Sequence, residues 1–315
     1  MLDYLSATVH RSLMPFTTDN IFYGNPLMML FLRRMVKVDG GASFAAPIRI
    51  GRNTAGSSYS GADLLTIFND TANTIGAEWN WAQYGRALGV TGLDELRNSG
   101  ARAIINLIRQ SLEAIEMELR EDMGTDLYLD GTSNSSKAFV GLAAAIDDGT
   151  NVVTYGAISR TTYTNWKANY SGNASVNRAL TTLLINSTYE NCSKDNDRPT
   201  VLMTTHGVYQ KYLSFLQAGQ RFGDMQSANL GFNSLTYQQR PIIVDEMIST
   251  SSTHRIFFLN LKYFTFYTHS GRNFLMVPFM QMPQQDMVVA KILWAGQLCC
   301  TSPRMQGVLT DLDVT

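Results

Sequence analysis

The chain has 315 residues, with 25 Lys and Arg against 26 Asp and Glu, giving a formal net charge of -1 and a pI near 6.4. That balance excludes the basic stripe of a protein that grips phosphates directly, so any contact with nucleic acid is expected to be loose. At 45% hydrophobic residues the chain can bury a core of one or two domains, and at 16% charged residues copies of its surface repel one another weakly.

Residues 1 to about 32 hold no sustained period. Pro15, Gly24 and Pro26 interrupt them, and Leu13, Phe16, Ile21 and Phe22 are scattered apolar anchors. The stretch reads as an arm that lays its anchors on the body of the subunit or on a neighbour. Asp3 and His10 break any secretory hydrophobic core, and the apolar run Pro26 to Leu32, closed by Arg33 and Arg34, is far shorter than the roughly 20 residues of a membrane span.

Two strand-like runs follow, Ala42 to Ile50 and Ile75 to Gln83, flanking the small-residue segment Gly51 to Gly61. The pattern predicts a long hairpin whose tip has too little apolar material to order without a partner. In the return strand Trp79 and Trp81 alternate with Glu78 and Asn80, the period of two of a half-buried strand. From Thr91 to about Met123 the period becomes helical. Ile104, Ile108, Leu112, Ile115 and Leu119 form one stripe, Glu116 and Arg120 are spaced to pair on the surface, and the helix would span roughly 40–45 Å.

After Leu129-Asp-Gly-Thr132 a mixed α+β region is predicted. Its helices run from Ser175 to about Tyr189 and from Gly207 to Leu216, and its strands are Thr200 to Thr205, Pro241 to Val244 and Ile256 to Leu259. Strand-like runs Leu261 to Thr268, Phe274 to Met280 and Met287 to Leu298 close the chain. The last two, joined by the turn-prone Gln281-Met-Pro-Gln-Gln-Asp286, predict an antiparallel hairpin packed on the long helix.

Catalytic chemistry finds little support. Four histidines, His10, His206, His254 and His269, lie in no local signature for nucleophilic or metal catalysis, and there is no phosphate-cradling glycine motif. Asp147-Asp148 and Asp245-Glu246 are adjacent acids that read as solvated turn residues, and His206 reads as a helix-capping or core-edge histidine. Cys192, Cys299 and Cys300 have neither a disulfide framework nor zinc spacing and suit a reducing cytoplasm. Met276, Met280, Met282 and Met287 read as packing on strands, not as a soft-metal site.

Several local stretches fall in the order arm, two-stranded loop, spine helix, α+β domain and closing hairpin. They are Trp79-Asn-Trp81; Asn98-Ser-Gly100 leading into Ile104-Ile-Asn-Leu-Ile108; Leu127-Tyr-Leu-Asp-Gly-Thr132; Tyr155-Gly-Ala-Ile-Ser-Arg160 with Trp166; Pro241-Ile-Ile-Val-Asp245; and Phe258-Leu-Asn260. In this order, and over nearly the whole chain, the sequence resembles the major capsid proteins of tailed bacteriophages, the HK97-fold family. The resemblance implies an α+β capsid fold with an N-terminal arm (1–35), an extended loop (36–84), a peripheral domain (85–138 and 262–298) carrying the spine helix, and an axial domain (139–261 and 299–315).

The resemblance further implies a non-enzymatic shell subunit without cofactor or metal, assembling with itself as pentamers and hexamers in an icosahedral lattice around double-stranded DNA contacted non-specifically. A portal would be a partner and a cement or decoration protein an optional one; no membrane is involved, and the product is a virion assembled in the host bacterial cytoplasm. Because the arm begins at Met1, a separate scaffolding protein or none is expected. No lysine lies between Lys37 and Lys137, so the loop tip lacks the amine that some relatives use for an isopeptide crosslink, and a noncovalent shell is expected. By region, the expected inter-subunit contacts are Arg11 on the arm, Arg49, Arg52 and Asp63 near the loop tip, and Gln284, Gln285 and Asp286 at the closing hairpin. Gly40, Gly41, Gly85, Gly89, Gly92 and Gly100 are expected hinges, and turn punctuation accounts for some of them equally. An encapsulin-like protein compartment is the neighbouring alternative, and a soluble α+β enzyme or binding domain is the alternative of a different class.

Overall fold

Helix α1 (Pro26–Leu32) opens the part of the chain that the computed structural model describes, which comprises residues 25–51, 58, 60–63, 73–97, 101–219, 235–249 and 253–314. The aperiodic reading of the arm is corrected here: Asn25 caps α1 by accepting the Met28 N–H at 3.1 Å, and Pro26 sits at the first turn, where a missing N–H costs nothing. Leu27, Met28 and Phe31 are buried in the subunit's own core. Residues 1–24, with Arg11, lie outside the described residues.

Strand β1 (Met35–Val38) runs parallel to β13 (Phe264–His269), so this stretch belongs to a sheet instead of opening the loop. Strands β2 (Phe44–Arg49) and β3 (Thr74–Trp79) form a separate antiparallel ribbon. The return strand was expected to continue to Gln83. It stops at Trp79, and after Asn80 and Trp81 the chain enters a different sheet as β4 (Ala82–Thr91).

That sheet is organised on the 14-residue strand β15 (Met287–Cys300). One edge of β15 pairs with β4 over Met287–Gly296; the other pairs with β14 (Leu275–Gln281) and then β13. Trp294, at the middle, stacks on Phe266 at 5.3 Å and is surrounded by Tyr84, Phe139 and Phe274. The expected closing hairpin is therefore β14–β15, and β4 lies along the long helix.

The predicted single helix is two: α2 (Gly92–Arg97) and α3 (Ala101–Leu127), with Gly100 outside the described residues. Thr91 caps α2 by accepting the Asp94 N–H at 3.2 Å and donating its hydroxyl to the Asp94 carboxylate at 2.6 Å. On α3, Leu112, Ile115, Leu119 and Met123 are buried, as the stripe requires. Glu116, expected on the surface, is buried with them.

A second sheet runs in the order β10 (Thr236–Tyr237), β11 (Arg240–Val244), β9 (Val201–Thr204), β12 (His254–Leu259), β16 (Gly307–Asp313) and β7 (Asn169–Ser171), with β8 (Arg178–Ala179) also on β16. Alternate residues of its central strands enter different cores. Val201, Met203, Phe257, Leu259 and Val308 join the large core with the first sheet and α3; Leu202, Ile256, Phe258 and Leu309 face α5 (Thr182–Asn191) and α6 (His206–Gly219). Leu312 faces the same side as Leu309, three residues earlier, because one extra residue bulges from β16 at Asp311, whose φ is +59°. The helix expected from Ser175 begins only at Thr182, since Arg178 and Ala179 are taken by the sheet.

Candidate inter-subunit surfaces

The β2–β3 ribbon has two unlike faces. Phe44, Ala46 and Ile48 lie opposite Trp79, Ala77 and Ile75 and face the body, where the Phe44 ring stacks on Tyr267 at 4.8 Å and meets Trp81 at 4.3 Å. Ala45, Pro47, Arg49, Thr74, Gly76 and Glu78 are exposed on the other face. Gly40 and Gly41, with φ of +150° and +128°, make the turn between β1 and β2, and Gly41 accepts the Trp81 indole N–H at 2.8 Å. Farther out, the exposed Asp63 accepts the Ser60 N–H at 2.9 Å in a local turn; Arg52 lies outside the described residues.

The ribbon rests on a bracket formed by residues 144–168. Helix α4 (Leu142–Ala145) is followed by a loop that winds round the buried Asp147 carboxylate, which accepts the main-chain N–H groups of Asn151 at 3.0 Å and Val152 at 2.6 Å. Strands β5 (Thr154–Tyr155) and β6 (Ile158–Ser159) then reverse through Gly156 and Ala157, with φ of +57° and +60°. Arg160 is fully buried and donates to the carbonyls of Ala144 at 2.7 Å, Ala145 at 2.9 Å, Val152 at 2.9 Å and Trp166 at 3.4 Å, with its guanidinium carbon 5.2 Å from the centre of the Tyr155 ring. Burial pulls the Arg160 pKa down, and Asp147 pushes it back up. The Trp166 indole donates to the Tyr155 carbonyl at 2.9 Å, and the Tyr155 hydroxyl accepts the Cys300 N–H at 2.9 Å, which ties the bracket to the end of β15. Beneath the ribbon a cavity of about 650 Å³ is lined by Trp79, Trp81, Lys137, Tyr155 and Gly156.

At the β14–β15 tip, Gln284, Gln285 and Asp286 are exposed together with Met280 and Met282; of the methionines read as packing, Met276 alone is buried and Met287 is half-buried. Asp286 also has a partner in its own subunit. Its carbonyl accepts the Gly92 N–H at 2.9 Å, and a Cβ on Gly92 would lie 2.2 Å from its carboxylate, so the glycine permits this close approach. Gly85 and Gly89 lie inside β4, where a Cβ would meet Leu293 at 3.0 Å and Met287 at 2.4 Å. On the outer side of α3, Glu113, Glu118 and Glu121 are exposed. Arg86 reaches across from β4 to Asp122 and, at 3.5 Å, to Glu118. Exposed pairs of this kind fix geometry more than they stabilise.

The structure corrects the reading of the adjacent acids. Asp147 is enclosed in the bracket, and Asp245 is buried at the end of β11, accepting the Tyr128 hydroxyl at 2.7 Å and the Met247 N–H at 2.9 Å; burial raises its pKa. His206 is exposed at the first residue of α6, beside Gln210. His254 contacts the Thr205 hydroxyl at 2.9 Å, but Thr205 is buried. Among the described residues no group of three or more His, Cys, Asp or Glu is placed to hold a metal, and no helix is long and apolar enough to cross a membrane. The bracket is the part that sequence reasoning missed as a unit, although Tyr155-Gly-Ala-Ile-Ser-Arg160 and Trp166 had been singled out; the signal was an arginine within a short, aromatic-rich turn.

No protein-family profile matches the sequence, and comparison with curated proteins finds no match. Solved structures do match over almost the full chain. A chain of the cyanophage A-1(L) capsid asymmetric unit superposes with a TM-score of 0.70 at 15% identity, covering 91% of this chain and 93% of that one. The SrpI encapsulin of Synechococcus elongatus PCC 7942 gives 0.58 at 12% identity over 93% and 89%, and the capsid of a native GTA particle gives 0.55 at 10% identity over 90% of each. With its five-stranded sheet along α3, its second sheet between two cores and its separate β2–β3 ribbon, the chain has the HK97-like capsid fold.

Proposed function

We propose that this chain is the major capsid protein of a tailed double-stranded DNA bacteriophage, a non-enzymatic subunit that polymerises into an icosahedral head. The observation that carries the reading is the end-to-end likeness to the chain of the cyanophage A-1(L) capsid asymmetric unit, with a higher TM-score than that of the SrpI encapsulin. In this reading residues 85–138 and 262–298 form the peripheral domain and residues 139–261 and 299–315 the axial domain. The β2–β3 ribbon, the arm and the β14–β15 tip provide contacts between subunits in pentamers and hexamers. The near-neutral net charge suits a container that holds DNA without gripping it. Stability comes from many moderate interfaces closed by symmetry, without crosslinks from the lysine-free loop tip. A portal is the expected partner, with a separate scaffolding protein or none and an optional cement protein, and assembly takes place in the bacterial cytoplasm.

The test is the content of particles made when the chain is produced together with its neighbouring genes. Genome-length DNA protected from nuclease is the expected result. Particles of this chain filled with a single protein cargo and free of such DNA would favour the encapsulin reading instead. A chain that stays monomeric and shows a small-molecule-dependent melting shift would favour an enzyme or binding domain.

A further inference from the structure

The described part of the β2–β3 ribbon is held to its own subunit by hydrogen bonds to its main chain at both ends. At its base the Glu78 N–H donates to the Gly156 carbonyl at 3.0 Å, and the Trp79 ring lies so close to Gly156 that a Cβ there would come within 2.9 Å of it. At its far end, where Ile50 pairs with Asn73, the Asn165 side-chain amide donates to the Ile50 carbonyl at 3.0 Å. The two tethers stand about five residues apart along the ribbon, roughly 16 Å. One tether would leave a pivot; two fix a direction. Both acceptor and donor groups on the body belong to the bracket that Arg160 makes rigid, since Gly156 adjoins Tyr155 and Asn165 adjoins Trp166.

We infer that Gly156 and Asn165 are positioning residues for assembly: they set the direction in which the β2–β3 ribbon is presented to a second copy of this chain. The inference rests on the proposed shell function. Asn165 is exposed and touches the ribbon only at the Ile50 carbonyl in the hydrogen bonds described, so its replacement leaves the cores intact. Gly156 has φ of +57° and no room for a side chain, so a Gly156→Ala change acts on the tether directly by displacing Trp79.

The experiment compares wild type, Asn165→Ala and Gly156→Ala, each as full-length chain, by amide exchange of the unassembled subunit and by electron microscopy of the particles formed. Loss of the Asn165 tether is expected to raise exchange in residues 44–50 and 74–79 about three- to tenfold and to leave β9, β12 and β15 unchanged. Particles of both variants are expected to be mixed in diameter or incomplete where wild type gives one diameter. Asn165→Asp, which removes the donor and keeps the shape, should reproduce the Asn165→Ala result. Ribbon exchange that does not change, or a loosened ribbon that still yields wild-type particles, would overturn the inference. If wild type itself forms no particles, the shell reading fails, and the positioning role falls with it.

Discussion

Replacing Arg160 with Met removes the buried cation of the bracket and retains most of its apolar stem. Four carbonyls then lose a charged donor, at distances between 2.7 and 3.4 Å, and the Tyr155 ring loses its cation. Hydrogen bonds to charged groups contribute about 1.5–3 kcal/mol each, but the 3.4 Å bond is weak, carbonyls tolerate partial satisfaction, and the substitution also removes the desolvation cost of the guanidinium. The net expectation is a loss of about 3–5 kcal/mol, or roughly 5–8 °C in Tm for a chain of this size. Urea unfolding of the unassembled subunit, followed by tryptophan fluorescence, measures it, because Trp79 and Trp166 both border the bracket. Arg160→Lys should fall between wild type and the Met variant, since a point donor cannot reach four diverging carbonyls. A loss below about 1 kcal/mol for the Met variant would show that the bracket does not depend on its buried cation.

Phe31→Ala should cost about 3–5 kcal/mol and expose α1 to proteolysis ahead of the sheets, because Phe31 is fully buried beside Phe264 at 5.4 Å; simultaneous cleavage of all elements would argue against a separately docked helix. A Cβ on Gly307 would lie 2.2 Å from the Cys192 sulfur, so Gly307→Ala should destabilise by about 1–3 kcal/mol, and adding Cys192→Ala should restore part of the loss in the same unfolding assay. Asp245 has its carboxyl pKa raised above 3.8, chiefly by burial, so the folded state binds its proton more tightly than the unfolded state does. Its contribution is therefore fully present below about pH 4 and is lost as pH rises through the folded value. Asp245→Asn should flatten that part of the stability–pH curve, and an unchanged curve would remove Asp245 as its source.

The parts of this fold legible in the sequence are those with a clean period. The stripe of α3 is written in residues that share a core, and β9, β12 and β15 are written as apolar runs, which in β9 and β12 are buried on both faces between two cores. Helix α1 was hidden because seven residues are too few to display a helical period, and its stability comes from docking Leu27, Met28 and Phe31. The break at Asn80–Trp81 was hidden because β3 and β4 read as one continuous alternation, although they pair with different sheets. Strand β16 has neighbours on both faces, so its sequence carries no strict alternation, and the bulge at Asp311 shifts the phase within it. Asp147 and Asp245 looked solvated because nothing local reveals that main-chain N–H groups and Tyr128 will satisfy them in the interior. Of the contact residues expected from the sequence, Arg49, Asp63 and Gln284 to Asp286 are exposed.

Electron cryomicroscopy of the purified chain, alone and together with its neighbouring gene products, tests the central claim most directly. The expected image is a closed icosahedral particle built from this one polypeptide as pentamers and hexamers, with each β2–β3 ribbon lying across a neighbouring subunit. A monodisperse monomer at every concentration and salt condition, or an open or non-icosahedral aggregate, would contradict it.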